Sequence, residues 1–135
     1  VAGVVALAPH VFVEALTTAS IQQARTTYKE TDLRQRLARH HDDPDSAFRG
    51  WNDIWLDPAF RDWSIEDEIT AIRVPVLAVQ GLDDEYGTLA QVHEIGRRVP
   101  HAQTLELPSC GHSPHRDQPD RLVQVIRALV DSPTH

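Results

Sequence analysis

Three short runs along the chain carry the hydrophobic pattern of strands. Residues 4–8 are continuously apolar, without polar alternation, as expected for a parallel strand covered on both faces, and Pro9 and His10 close the run. Residues 74–81 (Val-Pro-Val-Leu-Ala-Val-Gln-Gly) repeat the pattern; Pro75 is tolerable at a strand's start and Gly81 permits a sharp exit. The third run, residues 102–107, alternates apolar and polar positions, which places it nearer a sheet edge. Between the second and third runs Leu89, Val92, Ile95 and Val99 recur at helical spacing, and Pro100 ends the helix. Strand, helix, strand predicts a parallel right-handed crossover. Pro119 suits the first turn of a last helix, with Leu122, Val123, Val125, Ile126, Leu129 and Val130 as its buried stripe.

Residues 10–70 differ in kind. They hold helical patches (Ile21, Ala24, Tyr28; then Leu33, Leu37), a polar break over residues 40–45 read as a solvated helix end followed by a Pro turn, and the tryptophans Trp51, Trp55 and Trp63. So long an excursion between two strands of one sheet is unusual for a simple crossover and predicts an inserted helical lid. The expected organisation is therefore residues 1–9 and 71–135 as an α/β core, a parallel sheet of about three strands with covering helices, and residues 10–70 as the lid. The acidic run Glu66-Asp67-Glu68 reads as a solvated helix start.

With 135 residues the chain is one domain's worth, enough for a real core but small for an α/β enzyme. The net charge of −7 argues against nucleic-acid and anionic-membrane partners, which need a basic surface. A single cysteine, Cys110, excludes an intrachain disulfide framework and fits a reducing cytoplasm. The apolar opening has no basic flank and is far shorter than a membrane span, so a strand is the better reading than a signal peptide. The chain starts on Val inside that strand, for which a processed precursor or a truncated reading frame is an expected explanation.

Reactive groups in an open parallel sheet gather just past the carboxyl ends of the strands. Asp84 lies three residues beyond Gly81, and Gly111-His112 follows the third strand after a short turn, so both are expected on one rim. Asp83 is a rival for the acid, and Asp83-Asp84 read as a plain helix start is the bland alternative. A Gly-His pair alone is a weak signal in a chain with eight histidines.

Strand, Gly-x-x-Asp, helix, strand, Gly-His and a final amphipathic helix together resemble the C-terminal half of the α/β-hydrolase family, over nearly the whole chain. The resemblance implies Asp84 as triad acid, His112 as general base, His10 at the border of the active-site pocket, and no cofactor. The imidazole must take a proton from a hydroxyl and return it to the leaving group, while a buried carboxylate holds its tautomer, and Gly111 permits the sharp turn before it. The nucleophile of such a triad sits in a Gly-x-Ser-x-Gly turn that this sequence lacks; it is expected upstream. Ser20, Ser46 and Ser64 fall in the lid, Ser109 and Ser113 flank His112 too closely, and Ser132 is in the tail; Cys110 is a conceivable attacker, though better read as a buried structural thiol.

The implied reaction is hydrolysis of an ester or related acyl bond, on a small or medium apolar substrate that Trp51 and Trp55 help to bind, unless they serve lid packing alone. Carbon–carbon or carbon–halogen cleavage, and a non-catalytic binding or self-assembly module, are the alternatives. His40, His41, Asp42, Asp43 and Asp45 lack any metal-ligand spacing, so no metal site is expected. The first strand, left as an open apolar edge, predicts a homodimer through residues 1–8, or pairing with a separate N-terminal half.

Overall fold

The computed structural model describes residues 1–132. The chain separates into two compact units, one formed by Val1–Phe12 with Ser64–His135, the other by Val13–Trp63.

The first unit is built on a parallel three-stranded sheet in the order β1-β2-β3, with β1 at Val4–Leu7, β2 at Val76–Gly81 and β3 at Gln103–Leu107. The middle strand β2 is buried along its whole length, and its period of two sorts its side chains into two cores. Val76 and Ala78 pack with Val11, Ile69, Val92, Ile95 and Val99 on one face, the last three from the helix of Ala90–Arg98 and its C-terminal cap. Leu77 and Val79 pack on the other face with Leu107, Cys110 and Leu122, the last from the helix of Pro119–Asp131. In chain order we number the helices α1 (Ala15–Glu30), α2 (Leu33–Leu37), α3 (Pro44–Leu56), α4 (Ala90–Arg98), α5 (Pro114–Asp117) and α6 (Pro119–Asp131). None of those described is long and apolar enough to cross a membrane.

Two expectations, for β1 and for α6, are corrected. β1 is not fully covered on both faces: Val5 and Leu7 are each 36% exposed, and Val5 lines an open cavity with Leu129 and Val130 of the last helix. The stripe of α6 is narrower than its apolar composition suggests, with Val123 and Val130 turned to solvent while Leu122 is buried. The turns at Gly81 and Gly111 are made without positive φ; among the described residues the non-glycine residues at positive φ are Ala8 and Ser109. The acidic run is a helix start, as expected: a short 3₁₀ helix begins at Glu68 with Asp67 at its N-cap position, both exposed, and the carboxylates of Glu66 and Asp67 lie 3.9 and 2.8 Å from Arg98.

In the second unit α1 and α3 pack side by side through Thr17, Ile21, Phe48 and Asn52. Pro44 opens α3 at its first turn rather than ending a helix, and Asp43 caps it by accepting the Ser46 N–H at 3.0 Å, so the polar break is a helix start. Asn52 is fully buried, its Nδ2 donating to the Ile21 carbonyl at 2.9 Å and its Oδ1 accepting from Arg25 Nε at 2.7 Å. Replacing it strands a carbonyl and a guanidinium donor. We predict that Asn52→Ala lowers unfolding stability by about 1–3 kcal/mol, measured by urea titration of helical circular dichroism.

Candidate active site

The loops after β2 and β3 are stitched together beyond the ends of their strands. Leu82 N–H donates to the Leu107 carbonyl and Asp83 N–H to the Cys110 carbonyl, each at 2.9 Å. The stitching requires a glycine at 81, because a Cβ there would lie 2.0 Å from the Cys110 carbonyl oxygen and 2.5 Å from that of Gly111. The β3 loop is held from its other side: the Asp117 carboxylate accepts the Gly111 N–H at 2.9 Å, and Gln118 Nε2 donates to the Pro108 and Ser109 carbonyls at 2.9 and 3.2 Å.

This backbone frame brings Asp84 and His112 together. His112 Nδ1 lies 3.0 Å from each carboxylate oxygen of Asp84, whose side chain is 1% exposed. Asp84 does not cap α4, which begins at Ala90; its Oδ1 instead accepts the N–H groups of Tyr86 at 2.8 Å and Gly87 at 3.3 Å, and its Oδ2 accepts from Gln80 Nε2 at 3.3 Å. Asp83, the rival acid, is exposed and has no side-chain bond to His112. His10 sits beside the pair, its ring centre 6.1 Å from that of His112 and its Nε2 3.1 Å from the Tyr86 carbonyl. Tyr86 stands on the other ring contact, at 4.9 Å.

Burial works against an ionised Asp84, but the hydrogen bond from His112 and the two backbone N–H groups outweigh it and hold the carboxyl below its ordinary value. Asp84 raises the His112 pKa by accepting its hydrogen bond; burial opposes this, and the charges of Asp84 and Glu85 add to the rise. Cys110 is 1% exposed, and burial, reinforced by Asp117, Asp84 and Asp83, pushes its thiol up, away from a reactive thiolate.

Trp51 and Trp55 belong to the second unit. Trp51 is 38% exposed and meets Phe48 edge-on, while Trp55 packs with Phe60 and Trp63. Asp43 and Asp45 are engaged locally, Asp45 by Arg34 and Tyr28.

Sequence reasoning missed Gln80, Gln91 and Tyr86. Gln91 is fully buried, its Oε1 accepting the Val11 N–H at 2.7 Å and its Nε2 donating to the Phe12 carbonyl at 3.0 Å, which fixes the segment that carries His10. For Gln80, an amide at the end of an apolar run was the available signal.

The signs of the two shifts define a window. A raised His112 contributes stability fully below about pH 6.5 and loses it as pH rises through its folded-state pKa; a lowered Asp84 contributes above its unfolded value and loses it as pH falls through its own. The ion pair therefore spans the range between the two. We predict that NMR titration places His112 above 6.5, that Asp84→Asn returns it toward that value, and that Asp83→Asn leaves it nearly unmoved.

Residues 1–125 match the model of the alpha/beta hydrolase family. Over 86 residues the chain is 27% identical to the esterase Rv0045c of Mycobacterium tuberculosis, an alignment covering 60% of this chain and 29% of that protein. Its fold is shared with the esterase RhEst1 of Rhodococcus sp. ECU1013 (TM-score 0.64, 17% identity, 98% of this chain and 57% of that one). It is shared as well with E-2-(acetamidomethylene)succinate hydrolase (TM-score 0.66, 16% identity, 98% and 58%). The chain thus spans under a third of the curated relative and somewhat more than half of these structural neighbours. With the matched residues running from β1 into α6, this chain belongs to the alpha/beta hydrolase family.

Proposed function

We propose that this chain supplies the acid and the base of a Ser-His-Asp triad that hydrolyses an ester or related acyl bond. The observation that carries the reading is the bond between His112 Nδ1 and the buried Asp84 carboxylate, which commits one ring nitrogen to the acid and leaves Nε2 to move a proton. In this reading Nε2 takes the proton of an attacking serine hydroxyl as the acyl–serine bond forms, and passes it to the departing alkoxide. Water then attacks the acyl-enzyme by the same route, regenerating the serine. Asp84 stays ionised throughout and stabilises the imidazolium.

No hydroxyl or thiol among the described residues is hydrogen-bonded to His112, so in this proposal the serine comes from a segment other than residues 1–132. His10 borders the substrate, its imidazole close to that of His112. In this proposal the second unit serves as the lid, and Trp51 and Trp55 favour an apolar acyl group.

The test is hydrolysis of short-chain aryl esters. This chain alone should show only background turnover, and activity well above buffer that vanishes in His112→Ala would overturn the external nucleophile. In a preparation that includes the serine, Asp84→Asn should lower kcat by about 10⁴-fold, as expected for loss of the correct tautomer, whereas Asp83→Asn should be close to unchanged. Because the base must be neutral to accept a proton, kcat/KM should rise with pH through the raised pKa of His112. The reverse ranking of the two aspartates would contradict the assignment of the acid.

A further inference from the structure

We propose that Gln80, next to last in β2, is a positioning residue for the acid–base pair: its side-chain amide fixes the loop of residues 84–87 and, through that loop, the carboxylate that faces His112. The inference rests on the reading of Asp84 and His112 as acid and base.

Gln80 is 0% exposed, in a strand whose other side chains are apolar. Its Nε2 donates to the Gly87 carbonyl at 2.9 Å and to Asp84 Oδ2 at 3.3 Å. Its Oε1 is buried with no hydrogen-bond partner. Turning the amide over would not relieve this, because Oε1 would then face a carboxylate and a carbonyl, two acceptors against an acceptor. A leucine of similar size would avoid the desolvation of that orphaned oxygen altogether. What the amide provides, and leucine cannot, is the pair of bonds to the loop.

The loop itself is what grips Asp84. The N–H groups of Tyr86 and Gly87 bind Oδ1, and the carbonyls of the same two residues are held from behind, Tyr86 by His10 Nε2 at 3.1 Å and Gly87 by Gln80. Gly87 leaves room for both holders: a Cβ there would stand 3.0 Å from His10 Nε2 and 3.2 Å from Gln80 Nε2. Apart from His112, Gln80 is the donor that the structure places on Asp84 Oδ2. Gln80 makes no hydrogen bond to His112, so any effect on the imidazole passes through Asp84.

The readout is the NMR midpoint of His112, whose surroundings are Asp84, Glu85, Tyr86 and His10. In Gln80→Leu the loop loses a bond to a buried carbonyl, Asp84 is no longer held square to the imidazole, and the midpoint should fall toward the ordinary value near 6.5. Val79→Ala, a cavity in the core on the opposite face, should lower stability while leaving the midpoint raised. In the unmutated chain the Gln80 Nε2 protons should exchange slowly with solvent and their shift should follow the His112 titration, a measurement that decides the matter even if Gln80→Leu does not fold. A raised wild-type midpoint that a folded Gln80→Leu leaves unmoved, or Gln80 amide protons exchanging as fast as those of an exposed glutamine, overturns this inference alone. A wild-type midpoint at the ordinary value overturns the acid–base reading and this inference with it.

Discussion

The constraint on which the rest depends is the close approach of the backbone at Gly81 to the carbonyls of Cys110 and Gly111. At that separation no side chain fits between the two segments, since even a methyl carbon would stand 2.0 Å from the Cys110 oxygen. Two backbones this near continue to exchange hydrogen bonds after their strands have ended, through Leu82 with Leu107 and Asp83 with Cys110. The acid and the base are consequently carried on one stitched ladder rather than on two independent loops. That ladder brings the two residues together, and their side chains then stand 3.0 Å apart.

Burying a carboxylate is costly unless its lone pairs are satisfied. Asp84 meets that condition with Tyr86 and Gly87 on one oxygen, Gln80 on the other and His112 across both. Two residues elsewhere carry left-handed backbone without being glycine: Ala8 with φ 46° and Ser109 with φ 49°. Each such conformation costs roughly 1–3 kcal/mol. They lie just past β1 and β3, immediately before the segments that carry His10 and His112, and Gln118 braces the second of them. Strain and braces thus coincide where the histidines must be aimed.

Much of this was legible in the sequence, because strong periodicity constrains what it reports. The six apolar and amide residues of β2, the helical spacing of Leu89, Val92, Ile95 and Val99, and Pro119 at the start of α6 each admit one structural solution. The Gly-x-x-Asp and Gly-His spacing found the pair now seen in contact. Other features depend on what lies across from a residue, which a linear pattern does not contain. Residues 4–8 read as doubly covered because their composition is that of a central strand, yet Val5 and Leu7 stay partly exposed. Gly81 reads as permitting a sharp exit from the strand, and the close approach of the Cys110 carbonyl, which also requires a glycine, was not legible. Gln80 and Gln91 escaped notice because their partners lie on loops distant in sequence or in a turn whose shape the sequence does not reveal.

The central claim is that the approach at position 81 sets the acid–base geometry, and the structure of a Gly81→Ala variant, with its His112 titration, tests it most directly. The added methyl must push the two segments apart, so the account predicts a broken Asp83–Cys110 backbone bond, His112 separated from Asp84, and an imidazole titrating near the ordinary value while the β1–β2 pairing persists. A folded variant that keeps both the backbone ladder and the raised His112 would contradict it.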